Sequence, residues 1–468
     1  MAKAKLESRI PQTEYRRLLI AAVLLLGGCS STEDNPHGEP STLRMAIFAS
    51  DVTPPLGHPL CGGWIKPAAD IVQPLVLKGI VIEDGKTRCV IAAMDWCVLS
   101  GGAYDLFRNK MALAARVPVT QVAIHTTHTH SAPYADARAE QLIAAAEKPL
   151  RHVDLEWLAR ITDEAARAVE TSLHHLQPFT HVGVGQARVE HFASARRVKG
   201  PDGKIQTRYS TTRDAALRDA PEGRIDPWLK TVSLYDGETP LVRMHYYASH
   251  PQTRTGDGEV HPDTPAMARS YLENEEGVAQ LYFTGCGGDV TAGKYNDGAP
   301  GARVALSKQL YSGMIRSIDA TRRVPVSGFS WKSVDVRFAA RTEPQFSDAA
   351  LKKTMDDPAL GAARRLTAAL SLAWMERLRS RPAVDLSRLR IGPADILHLP
   401  GEPFVEYQLH AQAARTDRFV AVAGYGEGGP GYICTDAAIA EGGYEPTMSH
   451  VGPPSEALLK AAIEELLK

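Results

Sequence analysis

The stretch Val122-Ala-Ile-His-Thr-Thr-His-Thr-His-Ser-Ala-Pro133 joins an apolar, strand-like run to two histidines spaced two residues apart, His128 and His130. On an extended chain, residues i and i+2 point to the same face, so both imidazoles can address one point in space. A metal ion with its bound water is the commonest group that needs this arrangement. The alternative is a strand end whose histidine nitrogens bond to backbone or water.

Strand-like and helical patterns alternate on both sides of this stretch. Strands are predicted at Pro74–Glu83, Arg88–Asp95, Val122–Thr127, His181–Val189, Leu241–Tyr247, Gln280–Thr284, Gly328–Phe338, Ala394–Leu399 and Phe419–Gly424. Helices are predicted along the apolar stripe Leu155–Leu173 and at Ala302–Ile318, Ala362–Leu378 and Glu456–Leu467. This order predicts an α/β fold, with helices flanking mixed β-sheets in a single catalytic domain over residues 43–468. The polar, aperiodic segment Glu190–Glu222 is predicted to be a long loop.

The first 28 residues have the pattern of an export signal. Arg16 and Arg17 precede the apolar run Leu18–Leu26, which is too short to span a membrane. Leu26-Gly-Gly-Cys29 resembles the lipobox of bacterial lipoproteins, which implies that Cys29 is lipidated and that residues 29–42 form a polar tether. We therefore expect an exported protein, anchored by lipid in the bacterial cell envelope on the periplasmic side of the outer membrane. An uncleaved N-terminus is the alternative.

Charge and cysteine content exclude some partners. The chain carries 53 Lys+Arg and 54 Asp+Glu, a balance that gives no reason to expect nucleic acid as a partner. Beyond Cys29, the remaining cysteines form no Cys-x-x-Cys pair and match no zinc finger; they are Cys61, Cys89, Cys97, Cys286 and Cys434. One or two disulfides are compatible with an oxidising compartment, but the sequence does not pair them.

Two further candidate metal ligands follow predicted strands. His250 ends Met244-His-Tyr-Tyr-Ala-Ser-His250, and Glu402 follows the Pro-Gly turn of Leu397-His-Leu-Pro-Gly-Glu402. A catalytic zinc needs about three protein ligands from histidine, carboxylate or cysteine, and sites in α/β folds gather at strand ends. Solvated or capped side chains remain the alternative for both residues.

Three other histidines cannot be separated from this set by spacing. They are His125, His245 and His261. His125 lies three residues before His128, on the opposite face of a strand, and is therefore a poor companion ligand.

Several motifs together resemble the neutral/alkaline, non-lysosomal ceramidase family. They are His128-Thr-His-Ser-Ala-Pro133, Ala248-Ser-His-Pro251, Phe283-Thr-Gly-Cys-Gly-Gly-Asp-Val290, Pro400-Gly-Glu-Pro403 and Gly431-Tyr-Ile-Cys-Thr435, with Ile47–Pro54 like the family's opening strand. They occur in the order and approximate spacing of that family over about Arg44–Tyr444.

The resemblance implies a zinc ion held by His128, His250, Glu402 and Tyr432. It also implies that His130 contacts substrate or the reacting water, and that an arginine and a later tyrosine bind the scissile group. The best matches for those two are Arg196 and Tyr444, although Arg197 adjoins Arg196 and the sequence does not settle which one faces the site.

Three departures from the family pattern bear on the substrate. Ala132, followed by Tyr134-Ala-Asp136, replaces a glycine and a glycine-rich stretch, which adds bulk near the expected mouth of the site. Ala195 replaces an asparagine, which removes a hydrogen-bonding group from the expected substrate wall. The chain ends at Lys468, so we expect the catalytic domain without the family's C-terminal immunoglobulin-like domain.

The resemblance and the ligand chemistry together predict a zinc-dependent amidohydrolase. The expected substrate has an N-acyl amide bond, with ceramide-like N-acylsphingosine as the leading example, and the expected partners are this lipid-like substrate and, through Cys29, a membrane. Metal-activated water attacks esters as well as amides, so a zinc esterase or small-amide hydrolase is an alternative. A non-catalytic envelope lipoprotein of the same fold is the second alternative.

Overall fold

Two facing β-sheets covered by helices on both outer sides form the fold. The structure, a computed structural model, describes residues 43–380 and 383–468. The predicted export signal, the tether and Cys29 lie outside these residues. All the described elements belong to one compact unit.

The described residues contain 24 strands and 11 helices. The strands are β1 (Arg44–Asp51), β2 (Asp70–Ile71), β3 (Val76–Glu83), β4 (Arg88–Met94), β5 (Val98–Ser100), β6 (Val122–Thr126), β7 (Tyr134–Asp136), β8 (Gln177–Pro178), β9 (His181–Arg188), β10 (Ser194–Ala195), β11 (Arg197–Lys199), β12 (Ile205–Thr207), β13 (Trp228–Asp236), β14 (Thr239–Tyr247), β15 (Glu259–Val260), β16 (Ala279–Thr284), β17 (Val290–Thr291), β18 (Arg322–Pro325), β19 (Phe329–Arg337), β20 (Ala383–Ile391), β21 (Ala394–Pro400), β22 (Glu402–Pro403), β23 (Phe419–Gly426) and β24 (Tyr432–Ile433). The helices are α1 (Gly101–Ala115), α2 (Ala137–Ala144), α3 (Leu155–Ser172), α4 (Ala215–Asp219), α5 (Asp263–Glu276), α6 (Ala302–Asp319), α7 (Asp348–Asp356), α8 (Ala362–Ser380), α9 (Val405–Ala414), α10 (Asp436–Glu441) and α11 (Ser455–Leu467).

The two large sheets are both mixed. The nine-stranded sheet has the order β19-β20-β21-β23-β6-β4-β3-β1-β8, in which β21 and β23, and β6 and β4, run parallel. The five-stranded sheet has the order β16-β14-β13-β9-β18, with β14 and β16 parallel. Mixed sheets flanked by helices confirm the predicted α/β class.

Strand alternation explains the layering. In β4, Ile91 faces the core between the two sheets, whereas its neighbours Val90 and Ala92 face the core under α1 and α3. Neighbouring residues of a strand point to opposite faces, so a run that is apolar at every position is buried on both sides. On the far side, the five-stranded sheet packs against α5 and α6.

All nine strands and all four helices predicted from the sequence are present, with bounds that shift by a few residues. Strands β13 and β20 and helices α1, α5 and α9 were not predicted. Helix α1 starts with two glycines, and β20 buries Ser387 and Arg388 among its apolar positions, so neither shows a clear period.

The prediction of a loop over Glu190–Glu222 is wrong in detail. This segment contains β10, β11, β12 and α4. Arg208 is fully buried there and donates to the carbonyl oxygens of Ala195, Leu217 and Ala220. Because buried hydrogen bonds to backbone carbonyls replace an apolar core, the segment is ordered without showing hydrophobic periodicity.

The carboxyl ends of central strands meet at one place. β6 and β23 pair only at His125 and Gly426, near their carboxyl ends, and the Thr284 hydroxyl at the end of β16 donates to the Thr127 carbonyl at 2.7 Å. Loops that leave these ends therefore lie close together. Within the part of the chain that the structure describes, no helix has the length and apolar character needed to cross a membrane.

Candidate metal centre and active site

Three strand ends supply the predicted ligands. His128 lies two residues beyond β6, His250 three beyond β14 and Glu402 two beyond β21. Strands β6 and β21 belong to the nine-stranded sheet and β14 to the five-stranded one, so the site forms where the two sheets come together.

The two histidines of the opening motif do converge, but not because the chain is extended. Strand β6 ends at Thr126, and His128 has a φ of 65°, in the left-handed region. A non-glycine residue in this region is strained, and such strain gathers at functional sites where surrounding contacts impose it. The turn brings the His128 and His130 rings to a centroid distance of 4.8 Å.

Glu402 and Tyr432 are held side by side by a glycine-lined turn. The two residues pair in register between β22 and β24, and the Glu402 amide donates to the Gly431 carbonyl at 2.8 Å. Gly401 has a φ of 60°, and a Cβ built at Gly429 would lie 1.9 Å from the Gly401 nitrogen. Only glycine allows this approach, so the Pro-Gly turn and the Gly-rich loop together fix the carboxylate beside the phenol.

The predicted ligand atoms surround one point. Glu402 Oε2 lies 3.3 Å from His128 Nε2 and 3.4 Å from His250 Nε2. The Tyr432 hydroxyl lies 3.4 Å from His250 Nε2, and His130 Nε2 lies 3.2 Å from His128 Nε2. The structure therefore brings all four predicted ligands together and places His130 at their edge.

Hydrogen bonds behind the rings fix the tautomers. His128 Nδ1 lies 2.8 Å from the Cys97 carbonyl and His250 Nδ1 lies 2.7 Å from the Gly287 carbonyl. A carbonyl oxygen only accepts, so each Nδ1 carries a proton, and a ring in its neutral form then presents the Nε2 lone pair to the site.

This arrangement fits a cation. Two Nε2 lone pairs face Glu402 Oε2, a buried oxygen that receives no hydrogen bond. Converging acceptors repel one another unless positive charge lies near them; Arg196 Nη1, 3.4 Å from His250 Nε2, supplies part of that charge, and a metal ion among the three atoms would supply the rest. Two imidazoles and a carboxylate are the ligand set of several catalytic zinc sites, so His128, His250 and Glu402 fit zinc.

Electrostatics keep these groups in the protonation states that bind a metal. Burial lowers the pKa of His250 to about 4, so its ring is neutral near pH 7. Burial raises the pKa of Tyr432 well above its ordinary value, with Arg196 opposing, so this phenol ligates as phenolate only when a metal ion adds its own charge.

Arg196, and not Arg197, faces the site. Arg196 Nη1 donates to the Tyr432 hydroxyl at 2.8 Å, and its guanidinium lies 5.0 Å from the centre of the Tyr444 ring. Arg197 instead donates to Glu441 and Glu445, both at 3.1 Å. The backbone decides this, because Arg196 sits between β10 and β11 with its amide bonded to the Asp289 carbonyl at 2.7 Å.

Tyr444 lies on the open side of this group. Its ring packs edge-on against Tyr432 with centroids 6.0 Å apart, and the side chain is half-buried. Burial raises the pKa of Tyr444 to about 12, so its phenol is neutral and can donate a hydrogen bond.

The other side of the His130 ring faces two cysteines. Its Nδ1 lies 3.5 Å from Cys61 Sγ, which in turn lies 3.8 Å from Cys97 Sγ. Burial lowers the pKa of His130. All five cysteines of the described residues are unpaired thiols, and Cys61 and Cys97 are the two that approach each other here.

The remaining histidines named from the sequence have other partners. His125 Nδ1 donates to the Gly424 carbonyl at 2.7 Å, and His245 bonds to Thr231 and Gln280. His261 accepts from the Asp263 amide at 2.8 Å. None of the three joins the ligand group among the residues that are described.

Two site residues were not predicted from the sequence. Tyr425 stacks on His128 with ring centroids 4.3 Å apart, and Glu445 is fully buried with its Oε1 3.6 Å from Arg196 Nε. Two features of the sequence could have indicated these residues: Tyr425 lies in the Gly-rich loop, and Glu445 follows Tyr444.

A cleft opens beside the ligand group. Its apolar wall is formed by Trp64, Val98, Tyr134, Leu370 and Met448. Tyr134 thus adds bulk to the cleft, as expected. Ala195 does not line the cleft, because its methyl group lies against the backbone of the loop before β13.

Comparisons with solved structures reveal the same fold elsewhere. The neutral ceramidase from Pseudomonas aeruginosa superposes with a TM-score of 0.68 at 17% identity, over 92% of this chain and 74% of that one. A ceramidase complexed with C2 superposes with a TM-score of 0.67, also at 17% identity, over 92% and 75% of the two chains. No protein-family model and no curated protein sequence matches. The predicted ceramidase-type fold is confirmed.

Proposed function

We propose that this protein, which has the ceramidase fold, is a zinc-dependent amidohydrolase that cleaves an N-acyl amide bond. The observation that carries the proposal is the convergence of His128 Nε2, His250 Nε2 and Glu402 Oε2, with the Nδ1 of each ring held by a backbone carbonyl. Such a centre, open to a cleft, is what metal-assisted hydrolysis requires.

Four residues of the site are assigned to binding the metal ion. His128, His250, Glu402 and Tyr432 would hold a zinc ion, which when bound lowers the pKa of water to near ~7 and polarises a carbonyl. The bonds from the two Nδ1 atoms to the Cys97 and Gly287 carbonyls keep both rings oriented as ligands.

Arg196 and Tyr444 both contact Tyr432, and Tyr444 lines the cleft. Arg196 and Tyr444 would donate hydrogen bonds to the substrate carbonyl oxygen as negative charge develops on it. His130, 3.2 Å from His128 Nε2, is placed to take a proton from water or give one to the leaving amine.

The cleft favours a substrate with an apolar chain. Its wall of Trp64, Val98, Tyr134, Leu370 and Met448 begins directly beside the ligand group. The cleft holds about 40 Å³, so only the part of an acyl chain next to the amide would fit there, burying apolar surface at about 25 cal/mol per Å². Ceramide-like N-acylsphingosines are therefore the leading substrates.

A substrate panel tests the proposal. The full chain, loaded with zinc, would be given N-acylsphingosines, N-acyl amino acids, short amides and the matching esters, and release of amine or alcohol would be followed. We expect amine release, fastest with long acyl chains. Turnover of esters alone would establish the esterase alternative, and no turnover despite bound zinc would favour a binding protein.

Arg196→Met should lower kcat by about a hundredfold to a thousandfold, because one positioned donor to a developing oxyanion contributes this much. Arg197→Met is the matched control, since Arg197 points to Glu441 and Glu445. Steady-state kinetics on the best substrate of the panel checks this. Equal losses in the two variants would contradict the assignment of Arg196.

His130→Ala should lower turnover by about a hundredfold or more while the ion between His128 and Glu402 stays bound, since a proton carrier contributes this range. Metal analysis with kinetics separates the two effects. His174→Ala, at an exposed histidine, is the control. Loss of that ion together with activity would make His130 a ligand.

The lipid anchor at Cys29 completes the proposal. An enzyme held in the cell envelope meets substrates that partition into membranes, and a diacylated cysteine anchors stably where one chain does not. Cys29→Ser should move the protein from the membrane fraction to the soluble one, with Ser31→Ala as control. Immunoblots of the two fractions measure this, and unchanged membrane association of Cys29→Ser would argue against lipidation.

A further inference from the structure

We propose that Cys61, Cys97 and His130 form a second metal site, which takes Zn2+. The two sites meet at the His130 ring, whose Nδ1 faces Cys61 and whose Nε2 faces His128 of the first centre. The second metal site goes beyond the proposed function, which needs only that first centre.

One loop holds all three residues in place. The Cys61 amide donates to the Ala132 carbonyl at 2.8 Å, and the Cys97 amide donates to the Pro133 carbonyl at 2.9 Å. Ala132 and Pro133 lie two and three residues after His130 in the chain. Both thiols are therefore tied by backbone hydrogen bonds to the segment that carries the imidazole.

Backbone strain marks Cys61 in particular. Its φ of 45° lies in the left-handed region, and nothing in a cysteine side chain favours that conformation. Strain of this kind costs about 1–3 kcal/mol and persists where the surroundings over-determine it. Here it turns the Cys61 thiol toward Cys97 and His130.

Two of the three distances between ligand atoms match tetrahedral coordination. An ion with Zn–S near 2.3 Å and Zn–N near 2.0 Å places its sulfurs about 3.8 Å apart and sulfur about 3.6 Å from nitrogen. The two Sγ atoms are 3.8 Å apart, and Cys61 Sγ is 3.5 Å from His130 Nδ1. All three ligand atoms lie within 4.8 Å of one another.

The donor set selects the metal. Two thiolates and an imidazole are soft ligands that prefer zinc over calcium or magnesium, and Cys₂His with an open fourth position is known for zinc. Cys61 and Cys97 are buried, so a metal here is shielded from bulk water while His130 and Cys97 border the cleft.

The second metal would fix how His130 acts, a consequence that rests on the proposed function. With Nδ1 coordinated, the ring proton sits on Nε2, the atom that faces His128 at 3.2 Å. His130 would then present a donor toward the first centre.

Cobalt titration tests the site. The reduced, metal-free full chain is titrated with Co2+ alone, and thiolate-to-cobalt charge-transfer absorption in the near ultraviolet is followed with metal stoichiometry. We expect two ions per chain in the wild type. Cys61→Ser and Cys97→Ser should each lose the absorption and one ion, whereas Cys89→Ala, at a thiol buried between the sheets, should keep both.

A second measurement is made on wild-type protein, so its result does not depend on whether the cysteine variants fold. In the folded wild type, Zn2+ should shield Cys61 and Cys97 from alkylation, read by mass spectrometry, with Cys89 as the internal reference. Glu402→Gln should keep the cobalt–thiolate absorption. If Glu402→Gln kept the ion of the first centre, that result would count against the proposed function and not against the second metal site.

Any one of three results would rule out the proposed second metal site. One is folded, reduced wild type that gives no cobalt–thiolate absorption. Another is absorption that survives both cysteine substitutions. The third is a Cys61–Cys97 disulfide in the purified protein that binds no Co2+ after reduction.

Discussion

Glu402→Gln is expected to release the metal ion from the first centre and to lower kcat/KM by at least about a thousandfold. The amide keeps the size of the carboxylate but removes the negative charge that faces two imidazole lone pairs at 3.3 Å and 3.4 Å. A catalytic metal contributes several kcal/mol of transition-state stabilisation, and each 1.4 kcal/mol is a factor of about ten.

The measurement combines metal analysis with amine release from the best substrate of the panel. Glu147→Gln makes the same chemical change at an exposed position and should leave both unchanged. A Glu402→Gln variant that retains full metal and turnover would exclude the proposed centre, because no other described carboxylate faces both His128 and His250.

Arg269→Met should lower the free energy of unfolding by about 3–5 kcal/mol, a large effect for a residue outside the cleft. Arg269 donates to both carboxylate oxygens of Asp95, at 2.9 Å and 2.5 Å, and both side chains are almost fully buried. Removing one partner leaves a buried charge uncompensated, which is what makes such pairs costly to break.

The site depends on this pair as well. The Asp95 carbonyl accepts from the Thr129 hydroxyl at 3.1 Å, and Thr129 lies between the two histidines of the opening motif. We therefore expect Arg269→Met also to weaken metal binding.

Chemical denaturation with a matched surface variant measures the effect. Arg379→Met breaks an exposed pair with Asp348 and should cost under about 1 kcal/mol. Adding Asp95→Asn to Arg269→Met removes the buried charge and should recover part of the loss. If Arg269→Met costs no more than Arg379→Met, the buried pair does not stabilise the fold.

Much of the fold was predictable from hydrophobic pattern. In β4, every residue after Arg88 is apolar, a run typical of a strand, and the apolar stripe from Leu155 to Leu173 predicted a helix. The pattern failed where polar groups are buried, as in β20, or where hydrogen bonds replace an apolar core, as around Arg208.

The proposed ligand residues were predictable from metal chemistry, strand ends and the family resemblance taken together, since spacing alone did not separate them from His125, His245 and His261. His128, His250 and Glu402 each follow a strand, and the structure brings them together with Tyr432, which only the family resemblance had suggested. The reason given for the His128 and His130 rings was wrong, since a left-handed turn and not strand alternation makes them converge.

The sequence by itself determined nine of the strands, four of the helices and the chemically able side chains that follow the strands, because these depend on local spacing. Only the tertiary structure decided that Arg196 and not Arg197 faces Tyr432, and that Cys61 meets Cys97 beside His130. Such meetings depend on sheet order and on backbone hydrogen bonds between distant segments, such as Cys61 to Ala132. Local spacing carries no information about which distant loops share a strand end.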